Sequence, residues 1–145
     1  MEAAVWITGN VGGEVEFRTF GDDVAYASLR VASTPRLRRG GEWVDGTTTW
    51  LTVTCTRALA ENVRDSIKKG DPVVVVGRLR TNRWEDSERG PQERLVLEAI
   101  SIGHDLTRGQ GDFRRTVRPR NEDTADVGEL IRAAEEREDA AVAVA

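Results

Sequence analysis

Residues 58–84, "ALAENVRDSIKKGDPVVVVGRLRTNRW", hold the clearest helix of the chain and, directly after it, the clearest buried strand. Leu59, Val63 and Ile67 recur at every fourth position, which predicts a helix over residues 58–69 with one narrow apolar stripe. A lysine pair and a glycine suit its C-terminal end. The four consecutive valines that follow are typical of a buried strand.

The rest of the body is made of short segments that alternate apolar and polar residues, as half-buried strands do. These predicted strands cover residues 3–20 with a glycine-rich bend, 22–33, 47–56, 72–84 and 93–103, and residues 34–47 form a loop or hairpin tip. A parallel sheet would need a helical crossover between most strands, so a doubly wound fold is excluded. The order fits an all-β, five-stranded Greek-key barrel of the oligonucleotide-binding (OB) type, with the helix between strands 3 and 4.

The composition changes near residue 107, which predicts a domain over residues 1–108 and a charged, mostly disordered tail over residues 109–145. The net charge of −4 belongs mainly to the far tail, because residues 121–145 hold eight acidic residues and only two arginines. Residues 110–120 are instead basic. The acidic total therefore does not exclude a nucleic-acid partner for the body.

The chain has one cysteine and one histidine, so it predicts neither a disulfide nor a zinc site. Cys55 reads as a buried small residue, and Asp105 is the predicted partner of His104. No nucleophile or phosphate-loop motif occurs, which argues against an enzyme and against a cofactor. With no secretory signal and no apolar stretch of about 18 residues, the predicted location is the cytoplasm, associated with the nucleoid.

Two tryptophans are predicted to point outward from different strands. Trp84 shares a strand face with Arg78 and Arg80, and Trp50 shares one with the threonines of "TTTWLTVTCT". A nucleobase stacked on an indole contributes about 1–3 kcal/mol, while guanidinium groups bind phosphates. A single surface tryptophan more often rests on its own barrel or on another subunit, but the set as a whole favours nucleic acid. Trp6 is predicted to lie in the core or at a subunit interface.

The loop over residues 34–47 adds arginines and one tryptophan at a tip where glycines allow close backbone approach. Two further arginines near the strands are weaker candidates. The complete predicted set for binding a nucleic-acid strand is Trp43, Trp50, Trp84, Arg30, Arg36, Arg38, Arg39, Arg57, Arg78, Arg80 and Arg83.

Five segments occur in an order and spacing that resembles the bacterial single-stranded DNA-binding proteins (SSBs), over roughly residues 3–105. They are "ITGNVGGEVEFR", "LRVAST", "TTTWLTV", "LAENVRDSIKKGDPVVVVGRLRTNRW" and "LVLEAISIG". The ending "IGHDLTRG" with "FRRT" resembles the second, shorter actinobacterial paralogue. The resemblance implies an OB fold, a homo-oligomer that is usually a tetramer, and single-stranded DNA wrapped around it in replication, recombination or repair. It also implies base stacking on Trp50 and Trp84.

Three features depart from the family pattern. Two other stacking positions are lost, at Thr56 and near Arg36 or Leu37, with Trp43 as a candidate substitute for the second. The chain ends "EDAAVAVA", without the acidic tip closed by Pro-Phe that recruits other enzymes. Because two stacking positions are lost, we expect binding to single-stranded DNA to be weaker or more sensitive to salt. Two alternatives stay open: an OB-fold protein-interaction module of a replication or restart complex, and RNA binding.

Overall fold

The computed structural model describes residues 3–117, and those up to Gly111 belong to one compact unit. The described elements are β1 (Ala3–Val11), β2 (Glu16–Phe20), β3 (Val24–Ser33), β4 (Arg36–Arg39), β5 (Glu42–Asp45), β6 (Thr49–Thr56), α1 (Arg57–Ser66), β7 (Pro72–Asp86) and β8 (Gly90–His104). Residues 112–117 form no regular secondary structure. The predicted tail over residues 109–145 lies mostly outside the described residues.

The main sheet closes on itself. Its strand order is β1-β7-β8-β6-β3-β2, and β1 also pairs with β3 through Asn10 and Val11. Strands β6 and β8 pair in parallel, while the other pairs are antiparallel. The ring β1, β7, β8, β6, β3 is the predicted five-stranded arrangement, and α1 connects its third and fourth strands in chain order. Strand β2 extends the sheet beside β3.

The core fills the inside of this ring, and alternation within the strands determines which side chains reach it. Val31 of β3, Val53 of β6 and Val75 of β7 are fully buried, and Val63 of α1 packs against the same cluster. Burying one such side chain contributes about 1.5–3 kcal/mol. Cys55 lies in this cluster as predicted, and burial raises the pKa of its thiol to about 11.

The predicted helix bounds of 58–69 are wrong at the C-terminal end, because α1 stops at Ser66. Ile67 takes an extended backbone while its N–H still donates to the carbonyl of Val63. The Ile67 side chain is buried in the core all the same. The two lysines of "IKKG" therefore lie in the connection to β7 and not in the helix.

The segment predicted as a loop over residues 34–47 is a hairpin formed by β4 and β5, with two glycines of positive φ at its turn. At its base the hydroxyls of Thr34 and Thr48 are 2.6 Å apart. Neither strand contacts another element of residues 3–117. The hairpin therefore projects from the barrel.

A second hairpin projects where β7 and β8 outrun their neighbours. Strand β1 pairs with β7 only as far as Leu79, and β6 pairs with β8 only from Val96 to Glu98. Beyond those points β7 and β8 pair with each other alone, up to Asp86 and Gly90. The turn is shorter than the predicted segment "EDSERGPQ", because its outer residues continue the two strands.

Candidate nucleic-acid interface

Trp50 lies on the outer wall of the barrel and is 53% exposed. It pairs with Ala32 across the β3–β6 ladder, while Arg30 pairs with Thr52 one step further along the same face. The guanidinium carbon of Arg30 lies 5.6 Å from the centre of the indole. The diagonal relation between neighbouring strands thus places a cation over this ring.

The other neighbour of Trp50 is the backbone at Gly12, in the bend that follows β1. A Cβ at Gly12 would lie 2.9 Å from Cη2 of the indole and still closer to Cζ3. The N–H of Gly12 donates to the carbonyl of Arg30, with the nitrogen and oxygen 2.8 Å apart. The predicted bend at "GNVGG" is limited to Gly12 and Gly13, because its first three residues still belong to β1. Its role in seating an indole was missed, since only the fold reveals that contact.

Trp84 stands on the β7–β8 hairpin and is 44% exposed. It pairs with Gln92, and the guanidinium of Arg94, two residues further along β8, lies 5.6 Å from the ring centre. Trp84, Gln92 and Pro91 line an open cleft of about 500 Å³. Arg94 was not among the predicted residues. Counting outward from the hairpin turn could have found it, because antiparallel pairs are symmetric about a turn.

Trp43 repeats the same arrangement on the β4–β5 hairpin. It is 60% exposed and pairs directly with Arg38, whose guanidinium lies 5.8 Å from the ring centre. Such contacts contribute about 0.5–1 kcal/mol at exposed sites. Each of these three indoles therefore has an arginine from the adjacent strand beside it.

Strand β8 carries a bulge opposite the start of the arginine-rich part of β7. Between Val76 and Gly77 the register with β8 shifts by one residue, and Ile100 is the extra residue. A Cβ at Gly77 would lie 2.9 Å from the Cα of Ala99, so only glycine fits this crossing. Gly77 is buried and Arg78 exposed, as the alternation predicted.

Several predicted arginines have carboxylate neighbours. The nitrogen–oxygen distances are 3.6 Å for Arg80 with Glu98, 3.3 Å for Arg83 with Glu93 and 3.8 Å for Arg36 with Asp45. Surface ion pairs of this kind contribute about 0–1 kcal/mol, so a phosphate can replace the carboxylate. Arg83 and Trp84 are successive residues of β7, so their side chains point to opposite faces of the hairpin.

Arg57 and Arg39 complete the predicted set. Arg57 begins α1 with a φ of 61°, in the left-handed region that non-glycine residues seldom adopt. Arg39 is exposed at the tip of the β4–β5 hairpin, where it pairs with Glu42. The structure thus spreads the predicted residues over the barrel wall, both projecting hairpins and the start of α1.

Two predictions about single residues are wrong, and a third is narrowed. Thr52 and Thr54 were expected on an exposed face, but they are only 5% and 7% exposed because β6 lies between β3 and β8. Trp6 was predicted in the core or at a subunit interface, and its exposure of 71% excludes only the core. The partner of His104 is Asp71, with Nε2 and Oδ2 3.0 Å apart, and not Asp105.

The Asp71 carboxylate also ties the end of the helix to the barrel. It accepts the hydrogen bond from His104, which is the main cause that holds its pKa below the ordinary value, and another from the N–H of Lys68. Asp105 instead accepts hydrogen bonds from Thr107. Among the described residues there is no cluster of His, Cys, Asp and Glu that could hold a metal ion.

Comparison with known proteins agrees with this architecture. Residues 3–103 match the model described as the Single-strand binding protein family. This chain belongs to that family. An SSB relative from Streptomyces avermitilis, named "Single-stranded DNA-binding protein 2", is 42% identical over 116 residues, which are 79% of this chain and 72% of that protein. The family predicted from the sequence is confirmed.

A "Single-stranded DNA-binding protein" from Corynebacterium glutamicum is 37% identical over 119 residues, which are 81% of this SSB chain. The chain spans only about half of that relative's length, since the match covers 53% of it. Two solved structures share the fold. The small single-stranded DNA-binding protein from Streptomyces coelicolor matches 75% of this chain and 99% of its own, with a TM-score of 0.65 and 35% identity. The second single-stranded DNA-binding protein from Mycobacterium smegmatis matches 79% of this chain and 100% of its own length, with a TM-score of 0.60 and 29% sequence identity.

Proposed function

We propose that this chain binds single-stranded DNA without sequence specificity, by stacking bases on Trp50, Trp84 and Trp43. The observation that carries the proposal is the repeated contact of an exposed indole with an arginine of the adjacent strand. Family membership and the names of the relatives support it.

In this proposal the indoles bind the bases and the arginines bind the phosphates. Every base has a π-face, so an indole accepts any base, while guanidinium groups contact the phosphates. The arginine over each ring holds the indole ready, and a base stacks on the ring face that the arginine leaves open. The arginines proposed to contact the strand are Arg30, Arg36, Arg38, Arg39, Arg57, Arg78, Arg80 and Arg83.

We also propose that the binding unit spans residues 1–108 and that residues 109–145 form its charged tail.

We further propose that the chain works as a homo-oligomer, and specifically as a tetramer. Trp6 pairs with Val76 on an exposed face of the sheet, and the bulge places exposed Ile100 on the strand beside them. Such apolar surface suits a contact between identical copies.

The proposed role is to protect and organise single-stranded DNA during replication, recombination or repair, without a catalytic step. The proposed location is the cytoplasm, at the nucleoid. No helix within residues 3–117 is long and apolar enough to cross a membrane. Recruitment of other enzymes through an acidic tip is not part of the proposal.

Titration with oligo(dT) at two salt concentrations, followed by tryptophan fluorescence, tests the proposed function. We expect quenched emission and an affinity that falls with salt, by about 0.7 log units per log unit of salt for each phosphate contact. Trp50→Ala should weaken binding by about 1–3 kcal/mol, and Trp50→Phe by less because it keeps an aromatic face.

Two outcomes would redirect the proposal. Unchanged emission at low salt favours the alternative of an OB-fold protein-interaction module, in which the outer tryptophans contact a protein partner. If the emission is quenched, competition between matched DNA and RNA oligomers distinguishes DNA binding from RNA binding, which uses the same stacking chemistry.

A further inference from the structure

Phe20 and Tyr26 form an aromatic pair where β2 meets β3. Their ring centres are 5.4 Å apart and their planes are inclined by 77°, so one ring presents its edge to the other. Phe20 is still 51% exposed. In an edge-to-face pair the partner covers neither face of the ring that presents its edge. The pair therefore keeps aromatic surface available to a ligand.

Strand register places this pair on the same outer face as Trp50. In the β3–β6 ladder Tyr26 pairs with Thr56 and Ala32 pairs with Trp50, six residues further along. Because six is an even number, these side chains point to the same side of the sheet. At about 3.3–3.4 Å per residue, the two aromatic positions are separated by about 20 Å along the strands.

Arginines lie at both ends of this surface. Arg30 lies over Trp50 at one end, and Arg18 pairs with Tyr26 at the other. Carboxylates lie between them, because Glu16 pairs with Ser28, and Glu98, which is close to Arg80, pairs with Thr54 on the same face. The two aspartates of the turn "GDD" follow Phe20. Phosphates at both ends of this surface would meet arginines, while the aromatic rings offer stacking that needs no charge.

We propose that Phe20 and Tyr26 form a further base-stacking position, which takes a single strand of DNA onward from Trp50. The proposal rests on the proposed function and extends its site across β3 to β2. A distance of about 20 Å corresponds to about six nucleotides at the 3.4 Å spacing of a stacked strand. That number lies within the range of about 4–16 nucleotides bound by one OB fold.

Replacing the phenyl ring while keeping its bulk tests the stacking directly. We expect Phe20→Leu to weaken binding to an oligo(dT) of about 20 nucleotides at least about fivefold, the ratio that about 1 kcal/mol of stacking gives. Phe20→Tyr keeps the aromatic face and should bind like the unmodified protein. An abasic strand of the same length keeps the phosphates but lacks bases, so its weaker binding should be the same for both variants.

Val24 supplies the matched control, because it pairs with Phe20 on the same face and is also exposed. Val24→Thr should leave the affinity for oligo(dT) unchanged. Thermal unfolding and light scattering on each variant exclude damage to the fold or the assembly. Equal losses for Phe20→Leu and Val24→Thr, or an equal loss on the abasic strand, would overturn the proposal. So would a changed assembly in Phe20→Leu.

The design also separates this proposal from the function on which it depends. If the unmodified chain does not bind oligo(dT), or Trp50→Ala binds normally, the proposed function fails. If Trp50→Ala weakens binding and Phe20→Leu does not, only the stacking position at Phe20 and Tyr26 is wrong.

Discussion

At the residue scale, Gly12 determines where the indole of Trp50 can lie. Gly12 leaves room for the Trp50 indole, and a methyl group there would overlap the ring. We therefore predict that Gly12→Ala displaces the indole, shifts its fluorescence and weakens binding to oligo(dT) by about 1–3 kcal/mol, the contribution of one stacked base.

Gly13 provides a control in the same bend, because a Cβ there would meet no atom within 4 Å. Gly13→Ala should bind like the unmodified chain. Equal behaviour of the two variants in a fluorescence titration would show that Gly12 does not position Trp50.

Charge pairing at Arg80 leads to a second prediction at the residue scale. Glu98 lies 3.6 Å from Arg80, so a phosphate that approaches this arginine must displace or tolerate the carboxylate. Glu98→Gln should tighten binding to oligo(dT) several-fold at low salt, and the gain should shrink as salt screens the charges. Glu88→Gln, in the hairpin turn, serves as the control for net charge. Equal tightening by both variants would mean that general charge, and not the Arg80 contact, sets the effect.

At the scale of elements, the bulge beside Gly77 is a point where the backbones of β7 and β8 lie close together. A Cβ at Gly77 would meet the backbone of Glu98 and Ala99, which cannot move aside as a flexible side chain can. We predict that Gly77→Ala lowers the free energy of unfolding by about 1–3 kcal/mol, the usual cost of overpacking. Urea unfolding followed by circular dichroism measures it.

The neighbouring strand offers a matched glycine for this experiment. Gly103 lies near the end of β8, and a Cβ there would meet no atom within 4 Å. Gly103→Ala should leave the unfolding midpoint nearly unchanged. A Gly77→Ala variant as stable as Gly103→Ala would show that the bulge tolerates a side chain.

Elements also mark how far the sequence could predict this molecule. Alternation within a strand was enough to place Trp50 and Trp84 outside, because the period of two is a property of one strand. The arginine over each ring depends on register between two strands, so Arg94 was missed. The contact between Gly12 and Trp50 depends on how the sheet closes between β1 and β3, and no pattern within one strand predicts that closure. Thr52 was predicted to be exposed because one strand does not reveal what its two neighbours cover.

At the scale of the whole molecule, the exposed patch around Trp6 predicts how copies associate. Trp6→Ser should shift the assembly toward smaller species, since it removes the largest apolar group of a patch shared with Val76 and Ile100. Light scattering over a range of concentrations measures the change. Trp43→Ser removes an equally prominent indole from a projecting hairpin and should leave the mass unchanged. A monomeric unmodified chain, or equal masses for all three proteins, would contradict this interface.

Distributing the indoles over three different strand pairs has a kinetic consequence for a bound polymer. If bases stack on these rings as proposed, a nucleotide that lifts off Trp43 leaves the rest of the strand bound at Trp50 or Trp84. The freed segment then meets its ring again at a high effective concentration, so complete dissociation requires several contacts to open together. A competing strand could then occupy one vacated ring at a time. Handover of the polymer can thus proceed contact by contact, faster than spontaneous release of the whole strand.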